Sequence, residues 1–285
     1  MKKYKTDWYL YYLINVTLII LVSFPIYWAF VSSIKPPDEL ITNTPTLFPI
    51  NPTFESYERI WNLEPTSSRG NVRSAFTNSA IVSIGTVVVS AVISTLAAYA
   101  LTILRTPFRH FIFLLIIMPI LIPGISLLIP LYKLVKELGL MNSYLGLILI
   151  HSTGMLTLGV FLMRNAFMSI PTSLREVALL EGSSELRILF TVMLPLAIPG
   201  LLTLMVFALY GAWNDFILAF LFVNTIDMEM LNVFLMKLTF AGSQFDSFWG
   251  LLNAGAIISF VPILLFYIFL QQYFVRGVTG SAVKE

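Results

Sequence analysis

Of the 285 residues, 58% are apolar and only 11% charged, the net charge is +2, and the mean hydropathy is +0.86. A soluble domain carries about 25% charged residues, so this chain lacks the charge needed to solvate a water-soluble fold, and its balance suggests no nucleic-acid partner. There is no cysteine, which removes disulfides and thiolate chemistry, and His110 and His151 stand far apart without a metal-ligand spacing such as H-E-x-x-H, so no metal is expected.

Lys2, Lys3 and Lys5 precede an apolar run over about residues 9–34. A cleavable signal has an apolar core of roughly 7–15 residues followed by a small-x-small site. This run is longer and lacks such a site, so a retained first span is expected. Residues 35–75 open with Pro36-Pro37, Pro45, Pro49 and Pro52. Prolines at that density hold the backbone extended and exclude a long helix.

Further apolar runs follow at about residues 76–104, 111–132, 144–163, 197–223 and 250–274. A hydrocarbon core about 30 Å thick takes about 20 helical residues to cross. Barrel strands would be about 10 residues long and alternating, which these are not. Inside lipid a helix is the other structure that satisfies every backbone group. The expected fold is an all-α integral membrane protein of about six transmembrane helices forming one domain over residues 1–285. Span three carries Pro119, Pro123-Gly124 and Pro130. Such breaks line transport pathways in some proteins and are ordinary kinks in others; both readings stand.

Lysine and arginine near span ends set the orientation. With the N-terminus inside, Lys2, Lys3, Lys5, Arg105, Arg109, Arg164, Arg175, Arg187, Arg276 and Lys284 are cytoplasmic. Lys35, Arg59, Arg69, Arg73, Lys133, Lys136 and Lys237 lie outside, three of these arginines in the long 35–75 loop, where the rule counts for less. Both termini are then cytoplasmic, 35–75 is external, and so is 224–249, with Asp227, Glu229, Lys237 and Asp246.

The large cytoplasmic segment is 164–196, between spans four and five. Ser173-Leu174-Arg175-Glu176, after Pro171, has capping-box spacing. A helix through Val177, Ala178, Leu179 and Leu180 should stop at Gly182, which suits a left-handed C′ position. Ser183-Ser184-Glu185 offers a new N-terminus with acid in its first turn, and an amphipathic stretch from Leu186 to Leu194 runs into Pro195. The segment reads as two short helices joined by a glycine bend, a rigid elbow suited to transmitting force.

Glu176-Val177-Ala178, three residues, Gly182, nine residues, then Val192-Met193-Leu194-Pro195 resembles the EAA loop of ABC importer permeases (E-A-A, three, G, nine, I-x-L-P). Val177 and Val192 depart from the pattern while remaining apolar. Asn78-Ser79, Trp213-Asn214-Asp215-Phe216, Tyr273-Phe274-Val275-Arg276-Gly277 and Val283-Lys284 are similar to the binding-protein-dependent carbohydrate branch, specifically its MalG-like subunits. The resemblance implies a type I-like permease domain whose loop is the coupling helix inserted into an ATPase cleft. In that role Glu176 is a charge partner, Val177 an apolar contact, Ala178 allows close approach, Gly182 makes the bend, and Leu194 and Pro195 lead into span five. It implies a MalF-like second permease, ABC ATPase subunits and an extracytoplasmic solute-binding protein, in a bacterial or archaeal cytoplasmic membrane. No glycine is followed by lysine, so there is no G-x-x-x-x-G-K-[ST] phosphate loop. No cofactor or catalysis is expected of this chain; ATP and Mg would belong to the partner ATPase. The solute is a sugar or oligosaccharide by resemblance, with a phosphorylated polyol as the alternative. An ion-driven transporter would need several intramembrane acids or histidines, and only Asp215 stands out.

Four residues are candidates for the solute path. Asp215 falls about 27 Å along span five at 1.5 Å per residue, and an acid within a span is a functional hypothesis by default. Its other reading is a structural partner to a neighbouring helix, or a place already at the external interface. Trp213 has a sugar-stacking and an interfacial-belt reading, and Asn214 a solute-binding and a helix-bridging one. Asn78 is a solute ligand or a helix cap.

Overall fold

The computed structural model describes residues 2–42, 44–104, 106–240 and 248–279; Arg105, Asp246, Val283 and Lys284 lie outside them. The described residues form helices α1 (Lys2–Ser33), α2 (Pro37–Leu40), α3 (Glu55–Trp61), α4 (Val72–Thr102), α5 (Arg109–Ile117), α6 (Leu128–Glu137) and α7 (Tyr144–Met168). They continue as α8 (Thr172–Leu180), α9 (Glu185–Ile188), α10 (Leu194–Leu196), α11 (Ile198–Trp213), α12 (Ile217–Phe222), α13 (Leu231–Phe240) and α14 (Phe248–Thr279). The protein is therefore all-α. Trp8–Ser33, Val72–Thr102, Tyr144–Met168 and Phe248–Phe269 are each long and apolar enough to cross a membrane. Two bent helix pairs raise the number to six if each pair is one span.

The bends qualify the expected spans. Around residues 111–132 there is no straight helix: Arg109–Leu121 meets Gly124–Glu137 at 98°. Pro119 and Pro123 cannot donate backbone hydrogen bonds, and a proline pushes the residue before it out of helical backbone. Ile122 is accordingly extended, with φ −98° and ψ 122°. In span five, Glu185–Leu196 meets Ile198–Trp213 at 81°. That helix ends at Trp213, and α12 starts anew after Asn214-Asp215-Phe216. Span two begins at Val72, earlier than expected.

The chain forms two compact units, Met1–Arg73 with Phe234–Val261, and Ser74–Val233 with Pro262–Glu285. In the first, the apolar side chains of α1 from Trp8 to Phe30 are largely exposed, as suits a helix facing lipid. The described residues of the proline-rich loop after α1 form the short α2 and α3. It is ordered by side chains: the buried Lys35 donates to the Thr46 carbonyl beneath the Trp28 ring, and Glu39 accepts from the Ile50 and Asn51 amides.

In the second unit α4, α5, α7 and α11 pack around Tyr99, Val160, Met163, Phe167 and Leu204. Small residues set the spacing: Gly159 lies directly on Ser94, and a Cβ on Gly200 would stand 2.7 Å from that of Ala166. Small side chains at helix contacts admit close backbone approach, which drives association in lipid. The N-terminus of α7 is capped by Ser143, whose hydroxyl accepts from the Gly146 amide at 2.9 Å.

Candidate functional site

The segment 164–196 folds as an elbow. The helix α8 starts at Thr172 behind Pro171, so Ser173 falls inside its first turn and the expected capping box does not form. The other end follows the sequence closely. Gly182 has φ +80°, its amide bonds the Leu179 carbonyl at 3.0 Å, and the Ser183 amide bonds the Ala178 carbonyl at 3.0 Å. That pair of bonds is a Schellman closure, which needs a left-handed residue at the glycine position. Among the described residues, nothing beyond its chain neighbours stands within 4 Å of the position a Gly182 Cβ would take, so the demand for glycine comes from backbone conformation alone. Ser184 then caps α9, accepting from the Arg187 amide at 3.4 Å. A π-helical turn, Leu189–Met193, runs into α10 and Pro195. Proline there has no N–H to donate, and single π turns recur at functional sites.

The elbow has two faces. Ala178, Ile188, Leu189 and Met193 are buried in one core with Tyr99, Phe167 and Leu204. The close approach that Ala178 permits is thus to this chain's own helices. Outward lie Glu176, Val177, Leu180 and Leu186, the last two 88% and 64% exposed. Pro195 is exposed and Leu194 half-buried. Across the bend, the Arg175 guanidinium forks onto the Glu185 carboxylate, with Nε at 3.3 Å from Oε2. These hydrogen bonds hold the guanidinium above its ordinary pKa. The Tyr99 hydroxyl donates to the same Oε2 at 2.7 Å.

The path candidates lie elsewhere in the same unit and are not brought to one point. Asp215 stands at the break between α11 and α12. Its carboxylate accepts from the Leu218 and Ala219 amides at 3.2 and 2.8 Å, capping α12. Its Oδ2 also lies 3.7 Å from His151 Nε2. Both residues line a cavity of about 240 Å³ with Thr86, Gly154, Gly211 and apolar neighbours. The Thr86 hydroxyl is buried without a hydrogen-bond partner among the described residues. Trp213 is 5% exposed and meets Phe76 edge-on at 5.3 Å. Asn214 donates back to the Tyr210 carbonyl of its own helix at 3.0 Å. Asn78 is two turns inside α4, so it caps nothing. Its amide donates to the Asp227 and Glu229 carbonyls at 2.8 and 3.0 Å, and Tyr144 donates to its oxygen at 2.7 Å.

Motif spacing did not single out Thr86 or Asn232, considered His151 only as a metal ligand, and read Glu185 only as a first-turn acid. Asn232 donates to the Trp213 and Asp215 carbonyls at 2.9 and 3.2 Å, satisfying the helix break from outside. Among the described residues no group of three His, Cys, Asp or Glu side chains is placed to hold a metal ion.

Residues 90–280 match the family model described as "Binding-protein-dependent transport system inner membrane component". The chain belongs to this family. It is similar to the starch degradation products permease AmyC of Thermoanaerobacterium thermosulfurigenes, 31% identical over 287 residues and 100% of both chains. It is also similar to the trehalose permease SugB of Mycobacterium tuberculosis, 32% identical over 261 residues, 91% of this chain and 92% of that one. A bacterial ABC transporter involved in the import of alginate has the same fold, with a TM-score of 0.85 at 23% identity over 96% of this chain and 98% of that one. The permease is thus a multi-pass inner-membrane subunit of an ABC importer, and ATP hydrolysis resides in a partner subunit.

Proposed function

We propose that this permease lines half of the translocation pathway of a sugar or oligosaccharide importer, as the MalG-like member of a heterodimer with a MalF-like second permease. ABC ATPase subunits dock on the elbow from the cytoplasm, and an extracytoplasmic solute-binding protein delivers solute from the other side. The saccharide class is supported by relatives named for starch degradation products and for trehalose, which match 100% and 91% of this chain. Both termini are cytoplasmic in this reading, which the lysine and arginine distribution supports.

The observation that carries it is the outward face of the elbow. Val177, Leu180 and Leu186 are exposed beside Glu176 and Arg187, while the opposite face is built into the core. An apolar patch rimmed by charge marks a protein contact. Glu176 and Val177 are its contact residues; Ala178 and Gly182 shape it, and Leu194 and Pro195 carry its motion into α11. When ATP draws the ATPase dimer closed, the elbow is displaced and the helices behind it reorient the cavity. Asp215 faces that cavity, whereas Asn78, Trp213 and Asn214 support the walls of the path.

The test is copurification of the ATPase with the doubly substituted Leu180→Glu, Leu186→Glu permease. Two buried apolar contacts replaced by charge cost several kcal/mol, or more than about a hundredfold in affinity. The expected result is loss of the ATPase from a permease that still folds; undiminished retention overturns the docking surface.

A further inference from the structure

The elbow continues covalently into α7 at one end and α11 at the other, packs its apolar face on the core with Tyr99 and Phe167, and makes a polar contact with α4. The connection to α11 runs through the π turn Leu189–Met193 and then an 81° bend. The polar contact with α4 bypasses both the turn and the bend. Glu185, at the first turn of α9, holds Arg175 of α8 on one side and the Tyr99 hydroxyl of α4 on the other. Tyr99 is 4% exposed, and its ring meets Phe167 edge-on at 5.6 Å, so only the hydroxyl end reaches the carboxylate. From Tyr99 the helix α4 runs without proline to Thr86 in the cavity wall, about 20 Å at 1.5 Å per residue.

We propose that Glu185 is a positioning residue that locks both limbs of the elbow to α4, so that elbow displacement reaches the cavity wall along α4 as well as through α11. This deepens the docking reading above and rests on it. The Arg175 fork keeps α8 and α9 moving as one body across the Gly182 bend, and the Tyr99 hydroxyl passes that movement to the membrane helix. A partly exposed ion pair adds little to stability, so the value of the tie lies in transmission. Docking uses the other face of the elbow, so the tie and the dock are separable by substitution.

The experiment uses the complete importer in sealed vesicles, with uptake of the transported saccharide and ATP hydrolysis measured together. Tyr99→Phe keeps the buried ring and removes only the hydroxyl; Glu185→Gln removes the charge and keeps the shape. Both should retain the ATPase on purification and hydrolyse ATP, while solute moved per ATP falls by about fivefold or more, the lower range for a coupling of this kind. The charge-swapped pair Arg175→Glu with Glu185→Arg should recover part of that ratio over either single swap. An unchanged ratio in both Tyr99→Phe and Glu185→Gln overturns the tie, as does loss of the ATPase from either variant, which would make Glu185 part of the dock. Glu176→Ala, run alongside, reports on the dock alone. If it changes neither retention nor uptake, the docking reading fails whatever the Glu185 variants do.

Discussion

Asp215 sits where one helix ends and the next begins, and its two oxygens serve two masters. Both cap α12, and one faces His151 across the cavity. An acid inside an apolar run therefore has a structural duty beside any role toward solute. Removing it strips two amides of their acceptor, which costs about 0.5–2 kcal/mol for a cap. Asp215→Ala should lower the thermal midpoint in detergent clearly, and Asp215→Asn, which still offers one oxygen, only slightly. Equal losses in the two variants would mean that the charge toward His151 matters more than the cap. The pairing with His151 was not legible in the sequence, because nothing local relates two residues on separate helices. Gly182 was legible, because a left-handed helix terminus is a local demand that only backbone freedom meets.

At the scale of elements, run length announced the apolar helices but not their bends. The four uninterrupted spans follow from hydropathy and about 20 residues of helix. The 98° turn after Leu121 depends on how successive prolines combine with packing, and a proline alone predicts only a weakness. The break after Trp213 carries no proline or glycine within it. There Asn232, from a later segment, donates to the carbonyl of Trp213, where α11 ends, and to that of Asp215. Asn232→Ala should remove both hydrogen bonds and cost about 1–3 kcal/mol, read as a lower thermal midpoint; an unchanged midpoint would assign the break to other contacts. The elbow was the most legible element, since its glycine bend and second cap are written within a short segment. Its entry was misplaced by the Ser173 signal, because Pro171 starts the helix sooner.

For the whole molecule, orientation decides which surfaces meet which partners. The absence of cysteine makes that directly measurable, since any introduced thiol is the only one. A cysteine at Leu180 should react with a membrane-impermeant maleimide only from the cytoplasmic side of oriented vesicles, and one at Phe48, itself exposed, only from the external side. The reverse pattern would invert the positive-inside assignment and place the elbow away from any ATPase.

Coupling of this permease to ATP through the elbow is tested by ATP-dependent uptake in vesicles holding the complete complex, comparing wild type with Glu176→Ala and Gly182→Pro and following ATPase copurification. Proline holds φ near −65°, against +80° at Gly182, so that variant cannot close the bend. Coupling through the elbow predicts lost uptake with weakened ATPase retention in both variants. Unchanged uptake and retention in both would contradict it, and would leave the elbow as packing alone.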